Sequence, residues 1–248
     1  MWFFFIFANE KYVNVSLMKR ITICACASRN FVDKKQVAML ATALTKQDCE
    51  VEVVEDLCRM IELQLPRLAD VAGTTIVACH ERAVRNLLKY RGYEASDVYD
   101  IRQNGATDII KRMGIDAEAN DADEDFVRQV REMEAEPGED AWFPVIDAER
   151  CVNCRKCHDF CLFGVYAIED NQVKVVHPEN CKNNCPACAR TCPKTAIIFP
   201  KYSLSPINGG LEEGGEQAIR IDTKALYNQA LRERLAHRRA VAFKIDKG

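Results

Sequence analysis

The reading of this chain turns on Cys151-Val-Asn-Cys154-Arg-Lys-Cys157-His-Asp-Phe-Cys161 and, further on, Cys181-Lys-Asn-Asn-Cys185-Pro-Ala-Cys188-Ala-Arg-Thr-Cys192-Pro193. Each block sets three thiols on one tight loop and a fourth just after it. Three thiolates so spaced can wrap three corners of an iron–sulfur cubane, while the fourth reaches a second cubane. Cys151, Cys154 and Cys157 are therefore expected to share one [4Fe–4S] cluster with Cys192, and Cys181, Cys185 and Cys188 a second with Cys161. Structural zinc is the rival, since four-cysteine knots also use C-x2-C pairs, but zinc seldom needs triplets followed by C-x3-C. With full sets of thiolates, His158 and His177 are expected to be surface or packing residues.

Around the blocks runs an internal repeat. Val145-Ile146-Asp147 leads to Cys151 and Val175-Val176-His177 leads to Cys181, and β-prone runs at Val165 to Ile168 and Ala196 to Phe199 close the two halves. The duplication predicts a pseudo-twofold pair of βαβ units. Over about residues 142–200 this constellation resembles the bacterial two-cluster ferredoxin family, which implies a small α+β fold and low-potential electron transfer. Two departures stand out. Leu162 follows Cys161 where that family has proline, and three residues separate Cys181 from Cys185 where it has two. The extra loop residue leaves the ligand set intact but alters backbone N–H bonds to the sulfurs, and so bears on the potential of that cluster.

Upstream, from residue 20, short β-branched runs alternate with helix-period segments, the pattern of a parallel α/β layer. Strands are expected at Ile21 to Ala25, Val51 to Glu55, Thr75 to Cys79 and Asp97 to Ile101. Between them, Asp33 can cap a helix with Val37, Leu40, Ala41 and Leu44 on one face, and Ala83, Val84, Leu87 and Leu88 mark a second helix stopped near Gly92. Ile109, Ile110 and Met113 mark another, ending at Gly114. In an open parallel sheet ligands bind at the carboxyl edge of the strands. Cys24, Cys26, Cys58 and Cys79 all fall at that edge and are expected to converge, whereas Cys49 begins its strand at the opposite edge. His80 adjoins Cys79 and could substitute as a ligand. The plainer alternative is small buried cysteines in a sheet.

The order Cys-x-Cys, then Glu55-Asp56-Leu57-Cys58, then Ile76-Val77-Ala78-Cys79-His80-Glu81-Arg82, over about residues 20–90, resembles the N-terminal iron–sulfur domain of the flavin-bearing heterodisulfide reductase subunit. That resemblance implies a third [4Fe–4S] cluster at Cys24, Cys26, Cys58 and Cys79. It departs at Ala27-Ser28, where that family usually has glycine after Cys-x-Cys, and the large flavin domain of that subunit does not follow.

The fold class expected is thus an α/β parallel-sheet N-terminal domain plus a small α+β two-cluster ferredoxin domain. Residues 1–18 read as a start-site extension, 19–115 as the α/β domain, 116–141 as an acidic linker, 142–200 as the ferredoxin domain and 201–248 as a C-terminal loop and helix. The run Trp2 to Ala8 is too short to span a bilayer, which takes about 20 apolar residues, and lacks the basic start of a signal peptide. Met18-Lys19-Arg20, by contrast, leads straight into a strand. Residues 116–140 are acid-rich and contain Pro137-Gly138, yet Phe126, Val127, Val130 and Met133 keep helical spacing. A last helix is expected from about Thr223 to Arg239.

Thirteen cysteines among 248 residues is the compositional anomaly. An odd count cannot pair fully and cytosolic disulfides are rare, so the count points to metal ligation in a reducing cytoplasm. Residues 1–150 carry a formal charge of −8 and residues 151–248 one of +5. Two thiolate-ligated clusters each add about −2, which nearly cancels the basic surplus and removes the case for nucleic acid. There is no P-loop, no G-x-G-x-x-G after a strand and no nucleophile elbow, so neither a nucleotide site nor a catalytic residue is assigned. These features predict an electron-transfer protein or subunit that passes single electrons to a separate redox protein or oxidoreductase subunit, with no membrane span. The alternatives are a disulfide-reducing redox enzyme component and an iron–sulfur assembly or redox-sensing protein.

Overall fold

The computed structural model describes residues 18–133 and 140–211. The segment 1–17, Pro137-Gly138 and the expected helix from Thr223 to Arg239 lie outside the described residues. The first half alternates β1 (Arg20–Cys24), α1 (Lys34–Thr45), β2 (Glu50–Val54), α2 (Leu57–Glu62), α3 (Leu68–Ala72), β3 (Thr75–Ala78), α4 (Glu81–Tyr90), β4 (Val98–Asp100) and α5 (Ala106–Arg112). The four strands form one sheet in the order β2-β1-β3-β4, every pair parallel. Ile21, Ile23, Ile76 and Val77 are fully buried, because a central parallel strand is covered on both faces. The chain winds outward from β1 to β2, crosses back to β3 and continues to β4, so the winding reverses between β1 and β3. In such sheets the crevice at the carboxyl ends of the strands flanking that reversal is where ligands bind.

Local chemistry accounts for the helix ends. Asp33 accepts the Lys35 N–H at 2.8 Å and starts α1, whose Val37, Leu40, Ala41 and Leu44 are buried. Gly114, at φ 70°, follows α5 in the left-handed conformation that ends helices. Two helices were not foreseen. With six and five residues, α2 and α3 are too short to show a period, and α2 depends on Asp56, whose carboxylate accepts the N–H groups of Cys58 and Arg59. Further on, α6 (Glu124–Glu132) packs on α1 and buries Val130 in the same core.

The second half contains β5 (Val145–Ile146), α7 (Lys156–Phe160), β6 (Tyr166–Glu169), β7 (Gln172–Val175), α8 (Ala187–Thr191) and β8 (Ile197–Ile198). Here the expected βαβ halves are realised differently. The opening and closing strands of one half do not pair with each other. Instead β5 pairs with β8 and β6 with β7, both antiparallel. The cause of the second pairing lies in Asp170 and Asn171, both at positive φ, which make the tight two-residue turn that joins neighbouring antiparallel strands. A second buried group forms around Trp142, Val165, Tyr166, Val173, Ile197 and Phe199, with Trp142 stacked on Phe199 at 5.1 Å between centroids. Trp142 belongs to this group and its neighbour Phe143 to the first core, so one dipeptide stitches both. Arg82 adds a polar tie from α4, donating to Asp147 at 2.7 Å and also to the carbonyl of Thr195.

Candidate metal centres

The two cysteine blocks close into two separate cavities. One is lined by Cys151, Cys154, Cys157 and Cys192. The other, of about 410 Å³ and almost wholly apolar, is lined by Cys161, Cys181, Cys185 and Cys188 with Phe160, Leu162, Phe163, Val165 and Tyr166. In each, the fourth cysteine comes from the opposite block. This placement follows from the fold: α7 and α8 lie against each other, and Cys161 and Cys192 immediately follow them, each carried over to the other loop. Among the described residues, no group of three or more His, Cys, Asp or Glu could hold a single metal ion. A cubane differs in spreading its four thiolates over four irons.

Backbone and donors around these thiols suit an anionic sulfur-rich group. Asn153, Arg155 and Asn184 adopt positive φ within the loops, a conformation that turns successive N–H groups into concavities of the kind found at iron–sulfur sites. The Ala196 N–H donates to Cys192 Sγ at 3.3 Å, and the buried Tyr166 hydroxyl donates to Cys188 Sγ at 3.0 Å. Burial pushes the Cys188 thiol up to about 12, while that Tyr166 bond opposes it. The Cys181 thiol also rises to about 12, through burial and the neighbouring Cys185 and Cys161, and is held down in part by the Trp142 indole N–H. That indole nitrogen is buried with no acceptor at ordinary bonding distance, an orphan donor facing sulfur. Burial likewise lifts Cys157 to about 11, with Cys192 and Cys151 adding to the shift. Thiols held neutral by burial gain most when a cation takes the place of the proton.

At the sheet edge, Cys24, Cys26, Cys58 and Cys79 are all buried, whereas Cys49 is partly exposed and its Sγ donates to the Gln47 carbonyl at 3.6 Å. Cys24 ends β1, Cys26 and Cys79 follow β1 and β3, and Cys58 lies in the first turn of α2; burial raises the Cys24 and Cys58 thiols, with Cys26 adding to both shifts and Cys79 to that of Cys58. Burial, with Cys26 nearby, takes the Cys79 thiol up to about 12. Cys26 has φ 51°, curling the chain after β1, and the Leu57 N–H donates to Cys24 Sγ at 3.3 Å. The sequence reading missed the two charged residues here, Asp56 and Lys201. Lys201 Nζ stands 2.5 Å from Asp56 Oδ2 and 3.3 Å from Cys26 Sγ. Asp56 could have been found as a cap before Leu57, but Lys201 carries no local signal because it arrives from a distant part of the chain.

The histidines are otherwise engaged. His80 Nδ1 bonds Asp100 at 2.8 Å, and His158 and His177 sit at the surface beside Asp159 and Glu179. The additional residue of the Cys181–Cys185 loop also has a place: Arg29, in the turn after Cys26, donates to Asn183 at 3.2 Å and to Asn184 at 2.7 Å. The turn after Cys26 and the second loop are thus joined through one guanidinium. A further cavity, of about 840 Å³, lies apart between α4 and residues 147–150 and 209–211. Two of its cations are paired within the chain, Arg85 with Glu81 and Lys89 with Glu149.

The fold and its paired cysteine cavities define a protein of the cysteine-ligated iron–sulfur class. No family model matches the chain. It is 46% identical over 65 residues to an uncharacterized ferredoxin of Methanocaldococcus jannaschii, a match covering 26% of the chain and 44% of that protein. It is 33% identical over 92 residues to Ferredoxin-3 of Nostoc sp., covering 28% of the chain and 89% of that protein. PorD, a pyruvate synthase subunit of Methanocaldococcus jannaschii, is 35% identical over 54 residues, covering 22% of the chain and 62% of PorD. The chain belongs to the ferredoxin family, and it spans less than half the length of the first of these relatives. The heterodisulfide reductase resemblance of residues 20–90 finds no support among them. Among the described residues no helix is long and apolar enough to cross a membrane.

Proposed function

We propose that this chain is a cytoplasmic iron–sulfur electron carrier, an α/β unit at 19–115 joined to a two-cluster ferredoxin domain at 142–200, that hands single electrons to a separate oxidoreductase. Cys151, Cys154, Cys157 and Cys192 would hold one [4Fe–4S] cluster, Cys161, Cys181, Cys185 and Cys188 a second, and Cys24, Cys26, Cys58 and Cys79 a third. When bound, these groups supply reversible one-electron chemistry at potentials set by their surroundings. The observation that carries the reading is the lining of each cavity by four thiols, the fourth crossing from the opposite block. The chain's own residues hold those thiols, exclude water from them and donate hydrogen bonds to their sulfurs, the levers by which a protein sets potential.

Burial at the sheet edge favours relay over substrate chemistry. Cys24, Cys26, Cys58 and Cys79 are each no more than 9% exposed, which leaves little of them open to a disulfide substrate. The Arg29 link to Asn183 and Asn184 makes the Cys181 loop the neighbour of that edge, and supports a relay running from the third site through the second to the first. The pyruvate synthase name of one relative supports an oxidoreductase complex as the partner. Anaerobic EPR of the dithionite-reduced protein tests this reading, with reduced [4Fe–4S] signals showing mutual magnetic broadening expected. A reduced protein with no iron–sulfur signal, binding zinc in its place, would overturn it.

A further inference from the structure

Lys201 is placed where a lysine rarely is. It follows β8, yet its side chain runs back into the edge of the four-stranded sheet and is 2% exposed. Lysine is almost never fully buried unless paired, because stripping water from an ammonium is costly. Pairing with Asp56 meets that cost, but Asp56 had little need of a new partner. Its Oδ1 already caps α2, and its Oδ2 accepts the Ser28 hydroxyl at 2.6 Å. The second contact, on Cys26 Sγ at 3.3 Å, sets an N–H donor and a full positive charge beside the four-thiol edge. The ion pair with Asp56, Nζ to Oδ2 at 2.5 Å, holds that charge in place beside the sulfur.

We propose that Lys201 is the positioning residue that sets the reduction potential of the site formed by Cys24, Cys26, Cys58 and Cys79, raising it by hydrogen bonding to the Cys26 sulfur. The inference rests on the reading that this site holds a [4Fe–4S] cluster. One electron enters from the ferredoxin clusters, or from dithionite in the test, and adds one negative charge. No proton moves, and Lys201 is an ammonium before and after. A charge fixed beside the sulfur stabilises the reduced form more than the oxidised one. Because Lys201 and the thiols come from opposite halves of the chain, the site reaches its working potential only when the halves are docked. A free α/β half would be a poorer electron acceptor than the same half in the whole protein.

The test is an anaerobic, EPR-monitored dithionite titration of the full chain, with iron content measured on every sample. Lys201→Met should lower the reduced-to-oxidised ratio of the sheet-edge cluster about tenfold at fixed potential, or about 59 mV for a one-electron couple. The two ferredoxin signals should stay in place, and Lys201→Arg should restore most of the loss. Asp56→Asn, which removes the countercharge and keeps an oxygen to cap α2, should shift the potential the opposite way. Opposite signs separate an electrostatic role from a structural one, since mere loosening of the site would move both variants alike. Should Lys201→Met fail to fold, a raised potential in Asp56→Asn beside a nearly unmoved one in Lys201→Arg supports the role, and a fall in both overturns it. About twelve irons with no shift in any variant would overturn the role of Lys201 alone, whereas only about eight irons in the unaltered protein would remove the cluster reading and this proposal with it.

Discussion

Tyr166→Phe removes one hydrogen bond from the second cavity and almost nothing else. The ring packs with Trp142, Val165 and Phe199 and would stay there, while the hydroxyl, 3.0 Å from Cys188 Sγ, would be lost. A hydrogen bond to a charged acceptor contributes about 1.5–3 kcal/mol, but it acts on both oxidation states and only the difference reaches the potential. If a third to a half is differential, about 0.5–1.5 kcal/mol remains, and the potential of that cluster falls by about 20–65 mV. Burial strengthens the case, because no water can take over as donor in so apolar a cavity. Anaerobic EPR titration of the variant beside the unaltered protein reads the shift directly. A potential unmoved within about 10 mV, or an equal shift in the cluster of Cys151, Cys154 and Cys157, would refute the assignment of Tyr166 to one site.

Further predictions follow from the same geometry. Cys192→Ser, though in the second block, should disturb the cluster of Cys151, Cys154 and Cys157, as Mössbauer spectra of single-site variants would reveal; damage confined to the Cys181 set would refute the crossed arrangement. Leu40→Ala, in the fully buried face of α1, should cost about 2–5 kcal/mol in urea unfolding followed by circular dichroism. Leu63→Ala, at a side chain 52% exposed, should stay within about 0.5 kcal/mol, and equal losses would mean that α1 does not pack as described. Arg29→Ala should speed hydrogen exchange at Asn183 and Asn184 and leave α4 unchanged, and unaltered exchange there would show that the link is dispensable.

What could be read in the sequence was whatever local order dictates. The four strands, the Asp33 cap and the glycine stop at Gly114 each rest on a few adjacent residues, and the structure places all of them within a residue or so of expectation. The cysteine spacing is also local, and Cys151, Cys154, Cys157 and Cys192 line one cavity while Cys161, Cys181, Cys185 and Cys188 line another. What the sequence did not show depends on distance. Lys201 reaches Asp56 across 145 positions, and Arg29 reaches Asn184 across 155, with no pattern near either residue to announce the contact. The short helices α2 and α3 exist because Asp56 and the neighbouring core hold them, and not through propensity or period. The antiparallel pairing of β6 with β7 did have a signal, the Asp170-Asn171 turn, which the repeat pattern of the two halves overshadowed.

Counting iron and acid-labile sulfide per chain, on protein reconstituted anaerobically, tests the three-site assignment most directly. Three cubanes predict about twelve of each, falling to about eight in Cys58→Ser and unchanged in Cys49→Ser, whose thiol sits outside the sheet-edge group. About eight in the unaltered protein, with Cys24 and Cys58 freely alkylated, would contradict the third site and leave an α/β sheet joined to a two-cluster ferredoxin. Iron without sulfide, or zinc in its place, would contradict all three.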